Sequence, residues 1–69
     1  MRNAHFIENK RSYMEEVSAI IRQLKERSWT RRKIAKALNV HYVTVKKWEK
    51  LDACPNFSNF YELRDLLRK

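Results

Sequence analysis

The sequence has no glycine, one proline and one cysteine among its 69 residues. Without glycine there can be no Gly-rich loop around a phosphate, which excludes the common classes of nucleotide-binding enzyme. The single Cys54 excludes an internal disulfide and leaves no cluster of ligands for structural zinc. Because helix-breaking residues are so few, most of the chain can be helical.

Long apolar runs are also missing. No run approaches the ~20 residues that span a membrane, and the N-terminal MRNAHFIENKR lacks the hydrophobic centre of a signal peptide. We therefore expect a protein of the cytosol, without a membrane partner. A chain this short buries only about 60% of its unfolded surface. We accordingly expect no large catalytic cleft, no enzymatic activity and no cofactor.

Acidic residues form a minority, with 8 Asp and Glu against 16 Lys and Arg, and the net charge is +8. The excess lies in one part of the chain. Residues 22–50 contain ten basic residues against only Glu26 and Glu49, whereas the remaining residues are neutral overall. A localised basic region indicates a polyanionic partner and salt-sensitive binding. His5 and His41 are isolated from other ligands, so we expect no metal site.

Residues 30–50, TRRKIAKALNVHYVTVKKWEK, predict two short helices joined by a tight turn. Asn39 is the non-glycine residue best suited to the left-handed conformation that ends a helix. Trp29 is expected as a lid, and Trp48 as a core residue rather than a platform for a base. One small core can contain the apolar positions of both helices, which are Ile34, Ala35, Leu38, Val40, Val45 and Trp48.

The second of these helices separates into two faces on a helical wheel. Val45 and Trp48 lie on one side, and the opposite side carries Tyr42, Val43, Lys46, Lys47 and Lys50. That outward set suits a DNA major groove, because lysine reaches phosphate or guanine and an apolar group contacts the thymine methyl. We expect the neighbouring Glu49 to moderate repulsion among the lysines.

Three cations occupy the first turn of the preceding helix, namely Arg31, Arg32 and Lys33. The helix dipole disfavours positive charge there by roughly 0.3 to 1 kcal/mol per group. A basic first turn is understandable if its side chains and backbone N–H groups hold an anion together. On a duplex that anion is a phosphate.

Two further helices flank this pair. Ser12 and Glu15 form a capping-box pattern that predicts a helix from about Tyr13 to Arg27, and Asn56 is the expected cap of a last helix starting at Phe57. The predicted fold is an all-α bundle of four helices, or five if residues 1–11, an arm or an extra helical turn, add one. Tyr61 and the nearby phenylalanines fit either the core or a dimer surface.

A series of short motifs runs through residues 30–67: a Thr cap, Ile-Ala, Leu-x-Val, Thr-Val, Trp-Glu, a later proline and an apolar final helix. They are Thr30, Ile34-Ala35, Leu38-Asn39-Val40, Thr44-Val45, Trp48-Glu49, Pro55, Phe57, Phe60, Leu63 and Leu67. With Ile20 before them, they resemble the Cro and lambda-repressor type of helix-turn-helix domain. Resolvases, transposases and phage packaging subunits have a similar central pattern, so Pro55 and the final helix discriminate.

This resemblance covers about 50 residues, from Ile20 to Leu67, and we expect the helix-turn-helix domain to span residues 12–69. The resemblance also assigns roles to single residues. It places His41, Tyr42, Val43 and Lys47 at base-reading positions, Arg31 at a phosphate-contacting position, and Lys46 and Lys50 nearer the backbone. Arg31 stands where glutamine is usual, and three further residues depart from the family pattern. Asn39 and Leu51 stand where glycine is usual, and His41 replaces a capping Ser or Thr.

The function implied is a phage or bacterial transcriptional regulator of repressor type that binds double-stranded DNA, as a homodimer on a two-fold operator. Two alternatives stay open. One is a DNA-binding accessory protein of recombination or phage packaging. The other is a basic module that docks an acidic protein partner, which predicts little preference among DNA sequences.

Overall fold

The structure is a computed structural model that describes the backbone of residues 2–68 and the side chains of residues 11–68. Four helices follow one another, and residues 2–68 contain no strand. They are α1 (Arg2–Glu26), α2 (Arg31–Leu38), α3 (Tyr42–Glu49) and α4 (Phe57–Arg68). The prediction of an all-α bundle of four helices is confirmed. No described helix is long and apolar enough to cross a membrane.

The first helix begins much earlier than the sequence predicts. Its backbone is helical from Arg2 onward, so the predicted start at Tyr13 is wrong. The Ser12 and Glu15 pattern lies inside the helix, because nothing in residues 2–12 breaks it: neither glycine nor proline is present. Within the described residues the N-terminal segment is therefore continuous with α1. The division of the chain at residue 12 stays a prediction.

The core lies between two packed pairs: α1 packs against α3 and α4, and α2 packs against the same two helices. The predicted inward positions of the central pair are confirmed: Ile34, Ala35, Leu38, Val45 and Trp48 are all buried. Val40 is only half-buried and, like Trp29, packs against the edge of the core. The other buried apolar residues come from α1 and α4, and they are Val17, Ile20, Ile21, Leu24, Phe60, Leu63 and Leu66.

Side-chain caps fix the ends of the short helices. Thr30 Oγ1 accepts a hydrogen bond from the Lys33 N–H at 3.0 Å, and Asn56 Oδ1 accepts one from the Asn59 N–H at 2.8 Å. Asn39 adopts φ 59° and ψ 46°, and its N–H donates to the carbonyls of Ala35 and Lys36. All three predicted helix ends are confirmed, and Asn39 is the one that turns the chain from α2 towards α3.

Two contacts of α1 hold α3 and α4 in place. The buried Ser18 hydroxyl donates to the carbonyl of Glu49 at 2.7 Å, at the end of α3. The Tyr13 hydroxyl donates to the carbonyl of Pro55 at 2.8 Å, just before α4. Both carbonyls lie outside the regular hydrogen bonding of a helix, so these bonds satisfy them and tie α3 and α4 to one long support.

Candidate nucleic-acid interface

Helix α3 has one face anchored in the core and one face open. Val45 and Trp48 are 0% and 3% exposed, whereas Tyr42 and Val43 are 38% and 37% exposed. The lysines of the predicted outward set, Lys46, Lys47 and Lys50, are all exposed, with Lys50 as the C-cap of the helix. The wheel prediction of two faces is thus confirmed. The role of each outward side chain on DNA stays a prediction.

His41 takes the acceptor role that a Ser or Thr hydroxyl usually has at this helix cap. Its Nδ1 accepts a hydrogen bond from the Val43 N–H at 3.2 Å, and it is the N-cap of α3. A ring nitrogen that accepts carries no proton, so this geometry assigns the proton of the neutral ring to Nε2. The ring also stacks on Tyr42, with centroids 5.1 Å apart. His41 therefore offers an N–H donor at the start of α3.

Arg32 and Tyr42 join the starts of α2 and α3 into one surface. The Arg32 guanidinium lies 4.6 Å from the centroid of the Tyr42 ring, within the range of a cation–π interaction. The sequence assigns Arg32 to a phosphate and Tyr42 to a base edge, so the structure brings the two predicted kinds of contact together. Lys33 lies similarly over the Trp29 ring, with its Nζ 4.8 Å from the centroid.

Glu49 lies among different partners from those the sequence predicts. Its Oε1 accepts from Arg31 Nε at 2.9 Å, and its Oε2 accepts from Lys25 Nζ at 3.0 Å. Burial raises the pKa of the Glu49 carboxyl, but the hydrogen bonds from Arg31 and Lys25 outweigh it, and the pKa lies below its ordinary value. The carboxylate thus pairs with cations of α1 and α2 and not with the lysines of α3. The expectation that it moderates repulsion among those lysines stays a prediction.

Sequence reasoning missed Lys25 as a member of this surface. Its partner Glu49 is 24 residues away along the chain, and Arg31 is 18 residues from the same carboxylate. No helical spacing links residues that far apart, so only the packing of α1 against α3 brings them together. An open hollow of about 540 Å³ results, lined by Lys25, Trp29, Thr30, Arg31, Arg32 and Tyr42.

Helix α3 thus has one buried and one exposed face, and it lies beside α2, whose first turn is basic. The turn between the two helices is fixed by their caps. The family model described as Helix-turn-helix matches residues 20–69. The chain belongs to the lambda-repressor-type helix-turn-helix family. No curated protein and no solved structure matches it significantly. Residues 20–69 are thus a DNA-binding domain of the transcription-regulator type.

The helix-turn-helix domain keeps its backbone geometry despite the departures noted in the sequence. Asn39 and Leu51, which replace glycine, adopt φ values of 59° and 65°. A third positive φ, 75° at Ser28, was not predicted. Non-glycine residues rarely adopt this conformation, and Asn does so more readily than Leu or Ser. The left-handed turns therefore come at a higher conformational cost at Ser28 and Leu51 than at Asn39.

Proposed function

We propose that the protein is a sequence-specific regulator of the repressor type, which places α3 in the major groove of duplex DNA. One observation carries this proposal. Val45 and Trp48 bury one face of α3, and the opposite face, including Tyr42 and Val43, is held open in a fixed orientation. Side chains that read bases need such a rigid support, since small displacements break hydrogen bonds to base edges.

On this proposal the base contacts come from His41, Tyr42, Val43 and Lys47. His41 has a specific part, because its Nδ1 accepts the hydrogen bond of the helix cap. On this proposal Nε2 is the donor that reaches a base edge. A donor pairs with N7 of a purine, O6 of guanine or O4 of thymine, but not with the amino group of cytosine. Val43 offers methyl groups that fit the thymine methyl.

The phosphate contacts come from the cations that border this reading surface, which are Arg31, Arg32, Lys33, Lys46 and Lys50. Backbone contacts fix the register of the protein on the duplex without reading sequence. The Arg32 guanidinium lies over the Tyr42 ring. This contact supports a link between the phosphate contacts and the base contacts, because each of the two side chains orients the other. We therefore expect a steep dependence of affinity on salt.

We further propose that two copies bind a two-fold operator and block polymerase by occupancy. On α4, Phe57 is 70% exposed and Tyr61 is 58% exposed, which supports this side as the contact between copies. Charge supports the same arrangement. Residues 51–69 carry three acidic and three basic residues and are neutral overall, so copies meeting there avoid the repulsion of their basic regions.

Selection from a random duplex library with the purified protein tests this function. A pseudo-palindrome with half-sites about 10 bp apart is the expected result. Enrichment without a motif, combined with a steep salt slope, contradicts sequence-specific regulation and favours a general accessory protein. Absence of binding favours the alternative of an acidic protein partner.

Substitutions then separate the two kinds of contact. Lys47→Ala and Tyr42→Ala should change the preference among sites, whereas Arg31→Ala should weaken all sites alike and lower the salt slope by about 1. Binding of wild-type and variant proteins to the selected site and to point-mutated sites measures both effects. If Arg31→Ala instead changed which site is preferred, this division would be wrong.

A further inference from the structure

The carboxylate of Glu49 connects α1, α2 and α3 beside the open hollow described above. Its side chain is 13% exposed, and each of its two oxygens is bound to a different cation, Arg31 from α2 and Lys25 from α1. These are the two salt bridges among the side chains of residues 11–68. Both cations line the hollow beside the start of α2. Glu49 itself has no place among the proposed DNA contacts.

The atom that Arg31 uses is informative. It binds Glu49 through Nε, at 2.9 Å, which leaves the two terminal nitrogens of the guanidinium outside this ion pair. Those terminal groups form part of the planar fork that matches a phosphate. The Arg31 side chain is 35% exposed. Fixing Nε fixes the plane of the fork before DNA arrives, which reduces the ordering cost of binding.

Lys25 is held in the same way at the end of α1. Its Nζ binds Glu49 Oε2 at 3.0 Å, and its side chain is 39% exposed. An ammonium group has three donors, so one bond to Glu49 leaves two for other partners. The negative end of the α1 dipole also favours a cation at this position. One carboxylate therefore holds an ammonium and a guanidinium side by side.

We propose that Glu49 is a positioning residue for the DNA backbone: its carboxylate orients Arg31 and Lys25 so that both bind phosphate at the hollow. This inference rests on the proposed DNA-binding function and adds Lys25 to the phosphate contacts. A simpler role for Glu49 predicts the opposite effect on DNA affinity. An acid that merely neutralises Arg31 weakens DNA binding, so its removal strengthens binding, and most strongly where Arg31 is present.

A double-mutant cycle on the full chain distinguishes these roles by sign. Wild type, Glu49→Ala, Arg31→Ala and the double variant are compared for binding to one fluorescent duplex, between 50 and 200 mM salt, roughly the range over which phosphate contacts change affinity most visibly. Loss of a general negative charge acts in both Arg31 backgrounds and cancels in the cycle. Only the coupling between the two side chains remains.

If Glu49 positions Arg31, Glu49→Ala should lower affinity about fivefold more with Arg31 present than in the Arg31→Ala background. Lys25→Ala should lower the salt slope by about 1, as expected for a lost phosphate contact. Equal effects of Glu49→Ala in both backgrounds, or stronger binding confined to the background with Arg31, would overturn the proposal.

Matched variants exclude trivial explanations. Glu62→Ala removes the same charge from α4, beside a different hollow, and should show no coupling to Arg31. Arg31→Lys keeps the charge without the planar fork, so it should weaken binding less than Arg31→Ala and keep a salt slope near that of wild type. Thermal melts establish that each variant is folded, and Glu49→Gln, which has nearly the same shape, replaces Glu49→Ala if the latter unfolds.

The outcomes also separate this inference from the proposed function. If wild-type protein binds no duplex at any salt concentration, the DNA-binding regulator and the role of Glu49 are overturned together. If wild type binds a defined site but the cycle is additive, the regulator stands and the positioning role is overturned. Binding with coupling of the expected sign supports both.

Discussion

Ser28→Gly should stabilise the domain, although it removes a side chain. Ser28 lies in the turn between α1 and α2 with φ 75°, and its side chain is exposed. The left-handed conformation costs a non-glycine residue roughly 1–2 kcal/mol. Glycine avoids this cost but loses about 0.4–1 kcal/mol through the greater freedom of the unfolded chain. The net expectation is a gain of about 0.5–1 kcal/mol.

Thermal unfolding followed by circular dichroism measures this gain. For a domain of 60–100 residues, 1 kcal/mol shifts Tm by roughly 4–8 °C, so an increase of about 3–6 °C is expected. Ala37→Gly is the matched control, because Ala37 is also exposed but lies inside α2. There glycine should destabilise by roughly 1 kcal/mol. Equal destabilisation by both substitutions would refute the assignment of conformational cost to Ser28.

Three further predictions concern the supports of α3. Ser18→Ala should destabilise the fold by about 1–2 kcal/mol in chemical denaturation, since it leaves the Glu49 carbonyl without its donor. A change within about 0.5 kcal/mol would contradict a stabilising role of that hydrogen bond. Glu49 has a lowered pKa, so it stabilises the fold above its ordinary value of 4.5 and this contribution is lost as pH falls through the lowered value. Glu49→Gln should flatten acid unfolding in that window, and an unchanged Tm profile against pH would argue otherwise. His41→Asn should keep the N-cap and the stability of the fold but change the preference among DNA sites. His41→Ala should change that preference too, and it should lower the free energy of unfolding by about 1 kcal/mol. An unchanged preference with His41→Asn would show that the histidine does not read bases.

The central helix pair could be predicted because its signals are local. Caps act within three residues, and apolar spacing of three and four defines a helix face. The expectation for Asn39 depended only on its neighbours, whereas the cap at Thr30 came from the family pattern, and both were confirmed. The start of α1 is different. Ser12 and Glu15 have the residue types of a capping box, but such residues also occur inside helices, and only a break in the preceding chain makes them an end.

The electrostatics of the candidate site were less predictable than its shape. Charge counting located the basic region, and it placed Glu49 near the lysines that are its neighbours in sequence. The actual partners come from two other helices, at separations of 18 and 24 residues. The cation that pairs with a given acid depends on how the helices cross. Long charged side chains can form ion pairs of similar energy with several partners. Sequence spacing carries no information about that choice.

The chemistry of His41 illustrates how one residue can serve fold and recognition together. Sequence comparison treats it as a departure, since Ser or Thr is usual at this cap. In the structure Nδ1 replaces the missing hydroxyl as the acceptor for the Val43 N–H. A capping hydroxyl is used up by the helix, whereas an imidazole has a second nitrogen on the opposite side of its ring. The substitution thus keeps the helix start and adds a donor whose tautomer the fold itself determines. We expect the preferred site of this protein to differ from those of relatives with a Ser or Thr cap, with an acceptor-bearing base edge opposite His41.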